Sequence, residues 1–158
     1  MYEFTEEEVK EILNEKLSEI KYIIKTNIEH TLLFFILGCF FLYISPFYSN
    51  ISTLQIVAVL NGCSLLLIGL IFLTKVIKDK RLKQDIKLLI ALSNGKSKNK
   101  IEVKEIFVSK IITKNLKLYV VTDDKEYNLT TPYVPEYILE KEVNALFLNE
   151  HIIDFFYF

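Results

Sequence analysis

The sequence carries no Asp, Glu, Lys or Arg between Thr31 and Thr74, 44 residues in a row, although a quarter of the chain is charged. At that average about eleven charged residues would fall there. Charged side chains are the usual cover of a soluble surface, so the gap argues strongly against a plain soluble globule. Tryptophan is absent and there are only four glycines, which leaves little for a glycine-rich phosphate loop. The two cysteines, Cys39 and Cys63, both lie inside the uncharged run and make neither a disulfide framework nor a zinc pattern. With only His30 and His151, no set of metal ligands at characteristic spacing exists. Walker, nucleophile-elbow and metalloprotease motifs are missing too. Asp123 and Asp124 are adjacent in a segment that suits a turn better than paired acid–base work. No catalytic residue, metal, cofactor or small-molecule substrate is therefore expected.

Charge divides the chain into four. Residues 1–30 hold four Lys and eight Glu, and residues 31–74 hold no charge. Residues 75–100 hold eight Lys and one Arg against two Asp. Residues 101–158 hold six Lys against ten acids. The uncharged run begins behind an acidic segment, unlike the basic start and short apolar core of a signal peptide.

The run splits into two stretches, each able to supply the roughly 20 apolar residues that cross about 30 Å of hydrocarbon. The first span is placed at 28–48 and the second at 54–74, joined by a short external turn over 49–53 that follows Pro46. Phe47 and Tyr48 suit an interfacial aromatic belt. The competing reading, a helical hairpin inside a soluble core, asks the other 114 residues to wrap two wholly apolar helices. Lys16, Lys21 and Lys25 precede the first span, while Lys75, Lys78, Lys80, Arg81 and Lys83 follow the second. The turn has no Lys or Arg, so both termini are expected on the cytoplasmic side of a cell or inner membrane.

Helical patterning continues beyond the spans. Thr5 and Glu8 have capping-box spacing, and Val9, Ile12, Leu13, Leu17, Ile20 and Ile24 recur at three- and four-residue steps. This predicts an amphipathic helix over 1–27 running into the first span. Val76, Leu82, Ile86, Leu89 and Ile90 extend the second span into a basic helix over 75–94, stopped by Asn94-Gly95. The two extensions have opposite charge and are expected to pack side by side. The basic cluster reads first as a topology signal and solvated helix face, with anionic-lipid recognition as an alternative, whereas nucleic acid is not expected because no aromatic platform interleaves the charges.

Within the spans, Gly38, Cys39, Ala58, Asn61, Gly62, Cys63 and Ser64 form a distinctive group. Ala58-x-x-x-Gly62 lets helix backbones approach closely, and Asn61 near mid-span is expected to seek a hydrogen bond across helices. The cysteines are read as small packing residues. Close packing within one hairpin and association between copies are both open readings. A path lined by Gln55, Asn61 and Ser64 is less favoured, because no ionisable group lies mid-span.

After a linker at 95–100 the period becomes two. Strands are expected at Ile101–Val108, Leu116–Val121, Glu126–Thr130, Val143–Leu148 and His151–Phe158, with a short helix from Pro135 to Glu140. This order is loosely similar to OB- or SH3-like modules and suggests a small β-barrel-like or β-sheet domain over 101–158. Such a domain is marginal alone and is expected to lean on the helices or on another subunit. Phe155, Phe156, Tyr157 and Phe158 end the chain without the alternation of a half-buried strand. They are either covered within the domain or form an interface.

The sequence thus predicts an α+β membrane protein: a two-helix transmembrane hairpin with long cytoplasmic helical extensions and a small C-terminal β domain. The expected partners are the lipid bilayer and another protein or further copies of the chain. The expected role is non-catalytic: binding a partner or self-assembly. Its rivals are an oligomeric channel or membrane-perturbing effector, and a membrane immunity or inhibitor protein.

Overall fold

A computed structural model describes residues 4–48, 52–93, 100–132, 134 and 138–156. It is an α+β protein: two long helices followed by a six-stranded sheet. Helix α1 spans Glu6–Ile44 (39 residues) and α2 spans Ser52–Ser93 (42 residues). A 3₁₀ turn over Ser45–Tyr48 contains Pro46 and follows α1. The capping box forms as the spacing predicts. The Thr5 N–H and hydroxyl donate to the Glu8 carboxylate at 2.8 and 2.9 Å, and the Glu8 N–H donates back to Thr5 Oγ1 at 3.3 Å. The expected Asn94-Gly95 stop lies outside the described residues.

The chain forms two compact units. One comprises residues 22–77, the inner parts of both helices. There α1 and α2 run antiparallel in close contact: Phe34 stacks on Phe72, His30 lies tilted against the same ring, and Phe35 lies against Gly69. Both helices are long and apolar enough to cross a membrane, and only 17% of the most apolar window of each is buried.

The other unit comprises residues 1–21 and 78–158. Its strands are β1 (Ile101–Val108), β2 (Lys110–Lys114), β3 (Lys117–Val121), β4 (Glu126–Leu129), β5 (Lys141–Leu148) and β6 (His151–Phe156). They lie in the order β1-β5-β6-β4-β3-β2, antiparallel except for β4 with β6. The two outermost strands are consecutive in the chain. The Ser109 N–H donates to Val121 O at 2.9 Å and the Glu140 N–H donates to Val108 O at 2.8 Å, so the two outer ladders meet at Val108–Ser109. Val108, Val120, Leu129, Val143, Ala145, Phe147 and Ile152 fill the resulting core, with Ile138 packed among them. The expected helix from Pro135 lies partly outside the described residues.

Strand β2 was not foreseen from sequence. It pairs with β3 through a two-residue turn in which Asn115 and Leu116 both have positive φ, 51° and 64°. Such a turn matches the strand twist but normally carries Asn-Gly, and a leucine hides the signal.

Helical segments of this unit tie to the sheet. Lys16 Nζ lies 3.2 Å from Asp154 Oδ1 and 3.5 Å from Thr131 Oγ1. Phe4 stacks on Phe156 with ring centroids 5.2 Å apart. From α2, Arg81 donates to Asn115 O at 3.0 Å, and Asp85 accepts from Lys117 at 2.9 Å.

Candidate interaction surfaces

The hairpin seam is built from small residues. On α1, Thr31, Gly38 and Ser45 are buried at seven-residue spacing. On α2, Ala58, Gly62, Gly69 and Val76 are buried. A Cβ added at Gly38 would lie 2.9 Å from Leu66 and 3.1 Å from Gly62 O; one at Gly62 would lie 2.7 Å from Leu42 Cγ and 3.0 Å from Gly38 O. The backbones therefore touch where Gly38 faces Gly62, as small residues permit. Buried and half-buried positions recur at alternating three- and four-residue steps on both helices, the period of helices that wrap around each other left-handedly.

The distinctive group divides across this seam. Gly38, Ala58 and Gly62 are in it, whereas Cys39, Asn61, Cys63 and Ser64 are exposed on the outer surface. The signal that locates the seam is the seven-residue repeat of Thr31, Gly38 and Ser45. Hydrophobicity is uninformative there, because every face of both helices is apolar.

The basic cluster also divides. Lys75 Nζ sits 5.0 Å above the Phe72 ring, a cation held against an aromatic face. Arg81 holds the β2–β3 turn. Lys78 lines a small hollow with Leu82, Asp85 and Lys117. Lys80 is exposed and Lys83 is half-buried.

The apolar C-terminal strand is explained by a bulge. Leu146 pairs with Asp154 while its neighbour Phe147 pairs with Ile152, leaving Ile153 as an extra residue. A bulge shifts the alternation by one. Ile152 and Phe155 consequently join the sheet core, while Asp154 meets Lys16 and Phe156 meets Phe4. Ile153 is fully buried outside that core, as are Leu146 and Leu148 of β5. Both faces of this part of the sheet are thus covered within the unit. Tyr157 and Phe158 lie outside the described residues.

An open groove of about 550 Å³ runs beside the start of β1. Its lining includes Lys100, Glu102, Lys104, Lys125, Glu126 and Glu150 over the aromatic Tyr127 and Phe147. In register, Glu102 opposes Phe147 and Lys104 opposes Ala145, so two charged residues occupy core-facing positions. The groove's opening to water makes this affordable. Glu102 bridges Lys100 and Lys104. Hydrogen bonds from those two ammonium groups hold its carboxyl below the usual range, and Glu102 in turn raises Lys104. Lys104 also lies 5.7 Å from the Phe147 ring centroid. Sequence reading missed this groove, because it is assembled from three separate segments. Among the described residues no group of His, Cys, Asp or Glu could hold a metal ion.

His151 opens β6 beside the Asp85–Lys117 pair. Its Nδ1 is buried with no hydrogen-bond partner among the described residues. Burial pushes the imidazole below its ordinary value; Asp85 and Glu150 pull it up and Lys117 pushes it down. The folded state therefore favours neutral His151. Its contribution is complete above the unfolded value near 6.5 and is lost as pH falls through the lower folded value. The melting temperature should drop on acidification below about pH 6.5, and His151→Gln should flatten that part of the profile. Thermal melts of both proteins between pH 8 and 5 measure this.

Comparison with family models, curated proteins and solved structures finds no match for this chain.

Proposed function

We propose that this is a non-catalytic two-pass membrane protein whose helical ends and β domain, both cytoplasmic, bind a partner or mediate self-assembly. The observation that carries the reading is the hairpin's outer surface. Leu32, Ile36, Phe40, Ile56, Leu60, Leu67 and Ile71 are all more than half exposed, apart from charge and on several faces. Water does not tolerate so large a continuous apolar surface, and lipid does. Lys16, Lys21 and Lys25 on one flank and Lys75, Lys78, Lys80 and Arg81 on the other support cytoplasmic ends. Pro46 and Phe47 then belong to the external turn.

The β domain supports a binding role. Its six-stranded sheet carries the groove beside β1 as an open concave surface. Lys125 and Glu150 on that rim suit a polar peptide segment of a protein partner.

Membrane fractionation followed by extraction in mild detergent tests the reading. The protein should remain with membranes after alkaline washing and should elute larger than one chain, with further copies or a partner. Turnover of a substrate by the purified protein alone would contradict it.

A further inference from the structure

Two polar side chains on α2 are left without partners in the most apolar part of the chain. Asn61 and Ser64 are exposed, and neither makes a hydrogen bond among the described residues. Ser64 differs in this from Thr31, Ser45 and Thr74, whose hydroxyls donate to their own helix carbonyls at 2.7–2.9 Å. On the Asn61 side α1 presents Phe41 and Ile44, which offer no hydrogen-bonding side chain, because its closest packing is on the Gly62–Gly69 face. In hydrocarbon, no solvent satisfies an amide.

These two residues lie on a second ordered stripe. Leu54, Val57, Asn61, Ser64, Ile68 and Ile71 recur at alternating three- and four-residue steps, and all are exposed. This is the same period as the buried seam, on the adjoining face of the same helix. A hollow of about 210 Å³ borders it, lined by Leu54, Val57, Ala58 and Asn61 of α2 with Phe41 and Ile44 of α1. The stripe therefore has the pattern of a helix–helix seam, with a hollow for a side chain and a central polar pair.

We infer that α2 pairs with α2 of a second copy along this stripe, about a two-fold axis along the membrane normal, with Asn61 bonded to Asn61. The inference rests on the membrane reading and names the partner within it. A second copy is the occupant because an asparagine amide holds a donor and an acceptor, and so complements itself. A two-fold axis of this orientation brings the same residue to the same depth. One central asparagine in an apolar seam also fixes register, which an all-leucine stripe leaves open.

The test uses the full-length protein with Cys39→Ala and Cys63→Ala. Ser64→Cys in that background should give a dimer-sized band on mild oxidation in membranes. Val59→Cys, on the opposite flank of α2, should not. Light scattering in mild detergent should give two copies, and Asn61→Leu should weaken the dimer by about 3- to 20-fold. A membrane-embedded monomer, a larger assembly, or equal cross-linking at 59 and 64 would overturn the inference and leave the membrane reading standing. Recovery of the protein in the soluble fraction would overturn both.

Discussion

Gly62→Leu should lower the melting temperature of the purified protein in mild detergent more than any outward-facing change in either helix. A single added Cβ at this site already comes within 2.7 Å of Leu42 Cγ and 3.0 Å of the Gly38 carbonyl oxygen. Neither atom is the free end of a side chain. The branched remainder of leucine would force the helices apart along the contact, and overpacking of this kind costs roughly 1–3 kcal/mol or more. Gly38→Leu should behave alike, since its Cβ meets Leu66 and the Gly62 carbonyl. Gly69→Ala should be milder, because the nearest atoms are Phe35 ring carbons at 3.1 and 3.2 Å, which can turn aside. Leu60→Ala, at 61% exposure, should change little. Loss of helical circular dichroism on heating orders the four variants. Equal melting of Gly62→Leu and the parent protein would refute the close seam.

Phe147→Ala should have the second large effect, on the β unit. Phe147 is 2% exposed, meets Tyr127 edge-on at 5.0 Å and lies beneath Lys104. Truncating a buried phenylalanine costs about 3–5 kcal/mol. That is a large share of the roughly 5–15 kcal/mol by which a native domain is stable. The sheet should become protease-sensitive while the helices between residues 22 and 77 stay protected. Phe107→Ala, at a position 39% exposed, is the matched control and should cost under about 1 kcal/mol. Limited proteolysis read by mass spectrometry separates the two.

Much of the fold was legible because composition and period change sharply along the chain. The charge gap located both long helices, and the Thr5–Glu8 spacing located the start of α1. Five strands followed from period-two runs between turn residues. Three features were not legible, each for a physical reason. Strand β2 was hidden by Leu116, which takes a positive φ usually left to glycine. The alternation in β6 was broken by the extra residue Ile153, so the sequence left open whether this apolar strand is covered within the domain or forms an interface. Lys16 looked like a topology signal, and its pairing with Asp154 crosses 138 positions of sequence. In the hairpin, uniform hydrophobicity concealed which face was inside. Glycine and other small residues at seven-residue spacing held that information.

In the proposed topology the uncharged run crosses a membrane twice and leaves both ends inside. Single cysteines at Glu11, Thr53 and Lys80, in a chain with Cys39→Ala and Cys63→Ala, test it in intact cells with a membrane-impermeant thiol reagent. Thr53→Cys should be labelled from outside, and Glu11→Cys and Lys80→Cys only after permeabilisation. External labelling of Glu11→Cys or Lys80→Cys, or protection of Thr53→Cys in intact cells, would contradict it.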